Sequence, residues 1–384
     1  MFSRYVQAPI FILLVLLTLQ SCTKQIAEPQ LYDPFKTTGF FLDNWKSKAF
    51  LPFTYKEISE ETASSTSEIL VYNDIPLHKL STYLNGNNAN PFSGQMIQHP
   101  TLLKNIRDLN PGILRYPGGD ISSIYFWDRT KWNPPADVPK QIYLSKAKEP
   151  TYLWFGLNNE PWTLSLENYY KVLDATHTTG MITVNYAYAR YGTGKNPVNN
   201  AAHLAANWVR HDKGRTKLWE VGNESYGYWQ GGWMIDTTLT KNQPQIISGG
   251  LYGSHFKIFA DSMRHAAREI GVKINIGAQL VTHPVDPKVS PSEINWNNTY
   301  FQSAADDADF YIVHNYFTPF GENNTPQQVL ASAEKVISEI KSALKTSFAQ
   351  NGRLQKPVAM TEWNIFAMGS KQKMSNIAGV HAVL

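Results

Sequence analysis

Two glutamates in this sequence each follow a short apolar stretch. Glu224 ends residues 218–224 (LWEVGNE), and Glu362 ends residues 357–362 (PVAMTE). An apolar run that stops at a polar group is typical of a buried parallel strand with that group at its carboxyl end. Two carboxyl groups about 5–5.5 Å apart can cleave a glycosidic bond with retention, one as acid and one as nucleophile. We therefore predict a sugar-cleaving enzyme.

The sequence around Glu224 suits a general acid. Three nearby aromatic residues, Trp219, Tyr226 and Trp229, could shield its carboxyl group from water. Such burial raises the pKa of a carboxyl group, so that it keeps its proton near neutral pH. Asn223 directly precedes this glutamate, and its amide could bind a sugar hydroxyl whose hydrogen bond strengthens in the transition state.

Glu362 must instead stay ionised to act as the nucleophile, and Arg115 and the hydroxyl of Tyr316 are the candidate donors that would keep it so. Asp120 fits either a substrate contact or a turn residue after Gly118 and Gly119. Polar residues at the ends of the predicted strands complete the candidate substrate-binding set: Arg115, Asn223, His314, Tyr316, Trp363, Asp120 and Asn87.

Other glutamates are expected to serve the structure. Glu220 alternates with Val221 along its strand, which predicts a buried hydrogen bond or salt bridge for it. Glu160 lies in a loop before a helix, where it would shape the cleft or cap that helix. An Asn-Glu pair alone is a weak signal, so the prediction depends on Glu224 and Glu362 occurring together at the ends of separate strands.

The periodicity of the chain predicts elements that bring these residues together. Strand candidates cover residues 81–86, 112–116, 181–187, 217–221, 273–277, 310–314 and 357–360. Amphipathic helix candidates alternate with them at residues 166–178, 201–210, 254–270 and 325–348, the last opening on Thr325-Pro326. This alternation predicts an α/β fold, a (β/α)8 TIM barrel, with its active site at the carboxyl ends of the strands.

Eight strands close such a barrel, and the sequence supplies seven before it stops at Leu384. Seven strands leave two unpaired edges in a buried parallel sheet, so we expect a fragment truncated before the eighth strand. The alternative is that an unrecognised segment supplies that strand. Residues 67–72 and 76–80 predict accessory β-strands within residues 39–80, derived from a β-sandwich, and residues 81–384 form the catalytic barrel.

The first residues predict export. Arg4 precedes an apolar run at residues 10–19 that is too short to span a bilayer and resembles a secretory signal. Cys22, the only cysteine, follows Ser21 as in the lipobox of bacterial lipoproteins. We predict a signal peptide over residues 1–21, a lipid on Cys22, a tether over 22–38, and a location on the bacterial cell envelope. The alternative is a simple cleaved signal.

Composition limits the partners. The net charge is +4, and the basic residues are scattered rather than clustered, so no nucleic-acid partner is predicted. Aromatic residues make up 13% of the chain, which fits either sugar stacking or a large core. We predict no cofactor and no metal, because the histidines lack metal-ligand spacing and no glycine-rich phosphate loop follows a strand.

Four motifs resemble, in order, the α-L-arabinofuranosidases of glycoside hydrolase family 51. They are residues 114–119 (LRYPGG), 219–224 (WEVGNE), 313–316 (VHNY) and 362–364 (EWN), and the resemblance runs from about residue 83 to 363. It implies a retaining barrel enzyme in which Glu224 is the acid/base and Glu362 the nucleophile. It also implies that Arg115, Asn223 and Tyr316 line the sugar site.

The chain departs from that family at three places. Residues 87–90 (NNAN) offer amides where an acidic residue usually follows the first strand, Asp120 replaces the usual residue after the double glycine, and Thr361 replaces an aspartate. Arabinose specificity therefore stays open. The expected substrate is a plant or algal oligo- or polysaccharide. The alternatives are a xylosidase or agar-degrading hydrolase of the same clan, or a non-catalytic glycan-binding lipoprotein on the membrane.

Overall fold

The computed structural model describes residues 39–46, 54, 56, 70, 79–286, 288, 290–304, 306–318, 324–353 and 355–365. In chain order its strands are β1 Gly86–Asn88, β2 Ile113–Tyr116, β3 Tyr125–Phe126, β4 Gln141–Leu144, β5 Ala147–Pro150, β6 Trp154–Phe155, β7 Thr179–Val184, β8 Leu218–Val221, β9 Asn275–Gln279, β10 Phe310–His314 and β11 Val358–Glu362. Seven of them form one parallel sheet in the order β1-β2-β7-β8-β9-β10-β11.

Helices connect the strands of this sheet. The α-helices are α1 Pro100–Leu109, α2 Leu166–Thr176, α3 Tyr188–Tyr191, α4 Pro197–Asp212, α5 Gly249–Glu269, α6 Trp296–Ala304 and α7 Pro326–Gln350. Short 3₁₀ helices cover Gly39–Leu42, Pro91–Ser93, Met96–Gln98 and Asp120–Ile124. At the start of α7, the side chains of Thr325 and Gln328 each accept the other's backbone N–H, which is a capping box.

The sheet is a nearly closed barrel, which confirms the predicted fold class. Its two edge strands, β1 and β11, approach each other, and the side-chain amide of Asn88 lies 3.5 Å from the backbone oxygen of Thr361. A cavity of about 670 Å³ lies between these strands. Every residue of β11 is half-buried whereas β10 is wholly buried, because β11 pairs only with β10 among the described strands.

Alternation along the strands separates the barrel interior from the helix layer. Met181, Leu218 and Phe310 pack together inside the barrel. The 3₁₀ helix Gly39–Leu42 closes its lower end, where the ring of Phe41 lies 5.7 Å from that of Phe310. The lower half of the barrel interior is therefore apolar, and the polar interior residues lie near the carboxyl ends of the strands.

The structure corrects the predicted first strand. Residues 81–85 form a turn instead, in which the N–H groups of Tyr83 and Leu84 donate to the side-chain and backbone oxygens of Ser81. The strand therefore begins at Gly86 and includes Asn87. Local side-chain hydrogen bonding by serine overrode the alternation of apolar residues.

Several predictions concern residues outside the described ones. They are the signal peptide, Cys22, the whole tether, and nearly all of the accessory strands at residues 67–72 and 76–80. In the part of the chain that the structure describes, no helix is both long enough and apolar enough to cross a membrane.

Arg190 fixes the long loop that follows β8. It is fully buried in α3, and its guanidinium group donates to the backbone oxygens of Gly232, Pro244 and Gln245 and to the side chain of Gln243. Buried carbonyl groups need such donors, because leaving one unpaired costs about 1–3 kcal/mol.

We expect Arg190→Met to lower the free energy of unfolding by about 3 kcal/mol, because the buried carbonyl group of Gly232 and the part-buried ones of Pro244 and Gln245 lose their donor. Arg210→Met is the matched control, since Arg210 forms a surface ion pair with Glu269, and such pairs contribute about 0–1 kcal/mol. Denaturant unfolding followed by circular dichroism measures both. Equal losses in the two variants would contradict this account of Arg190.

Candidate active site

The turn after β8 presents Glu224 in an unusual backbone conformation. Gly222 has φ 78°, and a side chain there would begin 2.7 Å from the amide nitrogen of Gln279. Glu224 itself has φ 40°, which is uncommon for a residue other than glycine. Gln279 holds the turn, because its side chain donates to Val221 and accepts from the backbone N–H of Ser225.

A β-bulge in β11 aims Glu362. Val313 pairs with Met360 but His314 pairs with Glu362, so Thr361 is an extra residue on this strand. A bulge of this kind changes which side of the strand the next side chain faces. It brings the hydroxyl of Thr361 and the carboxylate of Glu362 to the same side, towards His314 and Arg115.

Arg115 on β2 is the centre of the site, and it is only 2% exposed. It donates through Nε to Glu220 at 2.6 Å, through Nη1 to Glu362 at 2.8 Å and Asn88 at 3.0 Å, and through Nη2 to Asn223 at 2.7 Å. Burial lowers the pKa of Arg115, but the charges of Glu220 and Glu362 outweigh this and raise it. The guanidinium group is therefore a fixed positive charge.

Glu220 has the structural role that its alternation predicted. Its carboxylate is fully buried and accepts hydrogen bonds from Arg115 at 2.6 Å and from the hydroxyl of Thr183 at 2.7 Å. Both donors point into the barrel from neighbouring strands. Glu220 thus orients the guanidinium group of Arg115 towards Glu362.

His314 connects the two predicted catalytic carboxyl groups. Its Nδ1 lies 3.0 Å from Glu224 and 3.8 Å from Glu362, and its Nε2 lies 3.0 Å from the hydroxyl of Thr361. Burial opposes charge on the imidazole, but the carboxylates of Glu362 and Glu224 raise the pKa of His314 above its ordinary value. The imidazole of His314 thus lies within reach of both carboxyl groups.

The carboxyl groups of Glu224 and Glu362 lie close to each other. One oxygen of each, together with a ring nitrogen of His314, lies within 4.8 Å of the others. Inverting glycosidases need about 6.5–9.5 Å between their carboxyl groups to admit a water molecule, whereas retaining enzymes hold them about 5–5.5 Å apart. The spacing here fits the shorter arrangement.

Glu362 is held in its ionised form. Burial alone would raise its pKa, but the charges of His314 and Arg115 and the hydrogen bonds from Arg115 and Tyr316 lower it below the ordinary value. The hydroxyl of Tyr316 donates to Oε2 at 3.0 Å, and Arg115 occupies Oε1. The carboxylate thus has the electrostatic environment that a nucleophile requires.

The surroundings of Glu224 differ in part from the prediction. Trp229 donates its indole N–H to Glu224 at 2.5 Å, and Tyr226 packs edge-on against Trp229. Trp219 does not line the site, because alternation along β8 turns it to the helix layer against Trp208. Two of the three predicted aromatic residues therefore adjoin the acid.

The remaining predicted residues lie around these groups. Asp120 lies beyond β2 with its surface open to solvent, although neighbouring groups crowd one side of its carboxyl group. This partial desolvation first, and then the charges of Glu362 and Glu224, raise the pKa of Asp120. Asn88 rather than Asn87 contacts Arg115, and both asparagines line the cavity between β1 and β11. Trp363 also lines that cavity, and its ring lies 5.8 Å from that of Phe317.

The cluster of Glu224, His314 and Glu362 has a spacing that could also suit a metal ion. The guanidinium group of Arg115, 2.8 Å from Glu362, opposes a second positive charge at that carboxylate. Hydrogen bonds and proton transfer therefore account better for this group of residues than metal binding.

No protein-family model matches the chain. An intracellular exo-α-(1→5)-L-arabinofuranosidase of Acetivibrio thermocellus is 23% identical over 273 residues, which cover 68% of this chain and 48% of that protein. The enzyme of the same name from Bifidobacterium longum is 24% identical over 294 residues, or 70% and 46%. The sequence relatives of this chain are α-L-arabinofuranosidases. This confirms the resemblance that the motifs indicated.

The chain spans about half the length of these relatives. Among solved structures, a family 51 α-L-arabinofuranosidase from Bifidobacterium longum superposes with a TM-score of 0.50 at 19% identity, over 74% of this chain and 55% of that one. At this identity the likeness is one of fold. It agrees with the parallel barrel described above.

Sequence reasoning missed two residues of the site. Asn88 carries a side-chain contact to Arg115, but the sequence analysis placed the end of the first strand two residues too early. Thr361 contacts His314 only because of the bulge in β11, and a bulge leaves no clear mark in the alternation of residues. A hydroxyl directly before a catalytic candidate was the only available signal.

We expect Tyr316→Phe to raise the pKa of Glu362, because the carboxylate loses a donor. The acid limb of the pH profile of kcat/KM should move about one pH unit higher, the size expected for one hydrogen bond to a charged group. The matched control is Tyr300→Phe, whose buried hydroxyl has no hydrogen-bond partner among the described residues. If Tyr316→Phe and Tyr300→Phe both keep the acid limb of the unaltered protein, the Tyr316 hydroxyl does not stabilise the ionised form of Glu362.

Proposed function

We propose that the chain is the catalytic barrel of a retaining glycosidase that removes α-L-arabinofuranosyl units from plant or algal polysaccharide. The observation that carries the proposal is the spacing of Glu224 and Glu362, whose nearest oxygens lie within 4.8 Å of each other. Their different environments support it, since one carboxylate has cationic and hydroxyl donors and the other has an indole and an imidazole. The sequence relatives support the choice of sugar.

In the first step, the carboxylate of Glu362 attacks the anomeric carbon, and Glu224 gives its proton to the departing glycosidic oxygen. The bond to the leaving group breaks as the glycosyl–Glu362 ester forms. In the second step, the ionised Glu224 takes a proton from water, whose oxygen attacks the anomeric carbon and releases Glu362. Two inversions give net retention.

His314 and Arg115 assist without bonding to the sugar's anomeric carbon. His314 contacts Glu224, so it can stabilise the carboxylate that forms when the proton leaves. Arg115 holds Asn223 and Glu362 in one plane of hydrogen bonds, which fixes the nucleophile beside a sugar-binding amide. Asp120 at the rim is positioned for contact with a sugar hydroxyl.

We expect Glu362→Ala to reduce kcat on every aryl glycoside by at least about 10⁴-fold, because no covalent intermediate can form. Glu224→Ala should lose less on a nitrophenyl leaving group than on a natural glycoside, because the former needs little protonation. Glu334→Ala, an exposed glutamate on α7, is the matched control.

Proton NMR of the first sugar released identifies its anomer. Retention of the anomeric configuration, together with the expected losses of activity in Glu362→Ala and Glu224→Ala, supports the proposal. A first product of inverted anomeric configuration would show a different mechanism. Wild-type activity in Glu362→Ala would show that Glu362 is not the nucleophile. Binding without turnover on every arabinoside, xyloside and galactoside tested would favour the non-catalytic glycan-binding alternative.

We also propose that Cys22 anchors the protein to the bacterial envelope. The proposal rests on Arg4, the apolar run at residues 10–19 and the Ser21-Cys22 pair. The relatives from Acetivibrio and Bifidobacterium are named as intracellular enzymes, so an anchor would distinguish this chain from them.

In a bacterial host, Cys22→Ala should move the protein from the membrane fraction to the soluble fraction and abolish palmitate labelling. Ser21→Ala is the control, because it keeps the cysteine and a small residue before it. Membrane association that is unchanged in Cys22→Ala would disprove the anchor.

A further inference from the structure

Aromatic rings lie exposed on the loops that follow β1 and β2. Phe92, Tyr152 and Trp162 are 58%, 60% and 52% exposed. Each ring contacts Trp154 edge to face, with centroids 6.4, 5.8 and 5.7 Å from it. We name these four residues the aromatic platform. An exposed apolar cluster rimmed by polar groups is a mark of a binding surface.

The platform rests on a fixed backbone. Residues 125–164 leave the barrel after β2, and strand β6, which includes Trp154, pairs with β3 at their base. The N–H of Leu164 donates to Pro91, and that of Gln95 donates to Pro161, so this insertion is joined to the loop that carries Phe92. Rings held in place before binding lose little freedom when a ligand arrives.

The charges near the platform favour an uncharged ligand. Lys131 lies 3.2 Å from Glu160, which is two residues from Trp162, so these two charges largely cancel. The rim also offers the polar side chain of Asn158. Open aromatic faces with a polar rim suit sugar rings, which present flat C–H surfaces and hydroxyl groups at their edges.

The insertion that carries the platform also reaches the active site. On its hairpin, β4–β5, Lys148 pairs with Asp236, and Lys146 lies over the ring of Tyr228 at 5.2 Å. Tyr228 in turn contacts Trp229, the residue that donates to Glu224. The platform and the acid therefore lie on connected loops at the same end of the barrel.

We infer that the aromatic platform binds the backbone of a neutral polysaccharide while the catalytic pair acts on one of its sugar units. This inference rests on the proposed function and adds to it the surface that holds the backbone of the polymer. Phe92, Tyr152 and Trp162 supply the stacking surfaces, and Trp154 holds them together.

Affinity electrophoresis of the full chain tests this inference in a Glu362→Gln background, where turnover cannot consume the ligand. Gels contain soluble arabinan, arabinoxylan or, as an acidic contrast, polygalacturonate. We expect retardation by a neutral polymer, and a loss of affinity of about tenfold or more in Tyr152→Ala/Trp162→Ala, as for aromatic anchors that a ligand covers on binding. Trp162→Phe should retain most of the affinity because it keeps a ring.

The matched control is Leu330→Ala/Ile337→Ala, which removes exposed apolar side chains from α7 and should leave retardation unchanged. In the active enzyme, Tyr152→Ala/Trp162→Ala should keep its kcat/KM on a nitrophenyl glycoside and lose rate on the polymer. Circular dichroism checks folding, and the single variant Trp162→Ala replaces the double variant if that one unfolds.

The inference is overturned if no neutral polymer retards the protein, or if the ring variants bind as well as the parent. It is also overturned if sedimentation shows a dimer that the ring variants dissociate, because the rings would then be an interface between copies. Ring-dependent binding without hydrolysis of any glycoside would support the platform and contradict the proposed glycosidase. Hydrolysis of a glycoside, together with polymer binding that does not depend on the rings, would support the proposed glycosidase and contradict the platform.

Discussion

The buried guanidinium group of Arg115 is the interaction on which the site depends. A charge removed from water is tolerated only when it is paired and its hydrogen bonds are satisfied. Here Glu220, Glu362, Asn88 and Asn223 satisfy it, and they come from three other strands of the sheet and from the turn after β8. Because these partners are spread around the barrel, the same contacts that stabilise the charge also place the nucleophile.

The two carboxyl groups differ because the backbone delivers them differently. Glu362 follows an extra residue in β11, which turns it towards the cation of Arg115. Glu224 sits in a left-handed turn after Gly222, which turns it towards the indole of Trp229 and the imidazole of His314. Neither orientation is regular strand geometry. Local irregularity at the strand ends is what separates the two environments.

Much of the fold followed from periodicity, and the site followed from it only in part. The pattern of residues 310–314 predicted β10 to the residue, and Thr325-Pro326 marked the start of α7, because burial on both faces and helix capping leave strong local signals. The strand predicted over residues 81–86 was wrong, because the side chain of Ser81 stabilises a turn in a segment whose residues alternate as in a strand. The prediction that Trp219 shields Glu224 was wrong, because Trp219 is close to Glu224 in sequence but points to the helix layer. Thr361 depends on a bulge, which only the pairing with β10 creates.

The pairing of Arg115 with Glu362 joins residues 247 positions apart, whereas Glu220 is 105 positions from Arg115. A ribosome adds about 5–20 residues per second, so roughly 12–50 s separate the synthesis of the arginine from that of its catalytic partner. During most of this interval Glu220 already exists and can neutralise the cation. The buried glutamate therefore gives the nascent chain a provisional counter-ion before the nucleophile is made.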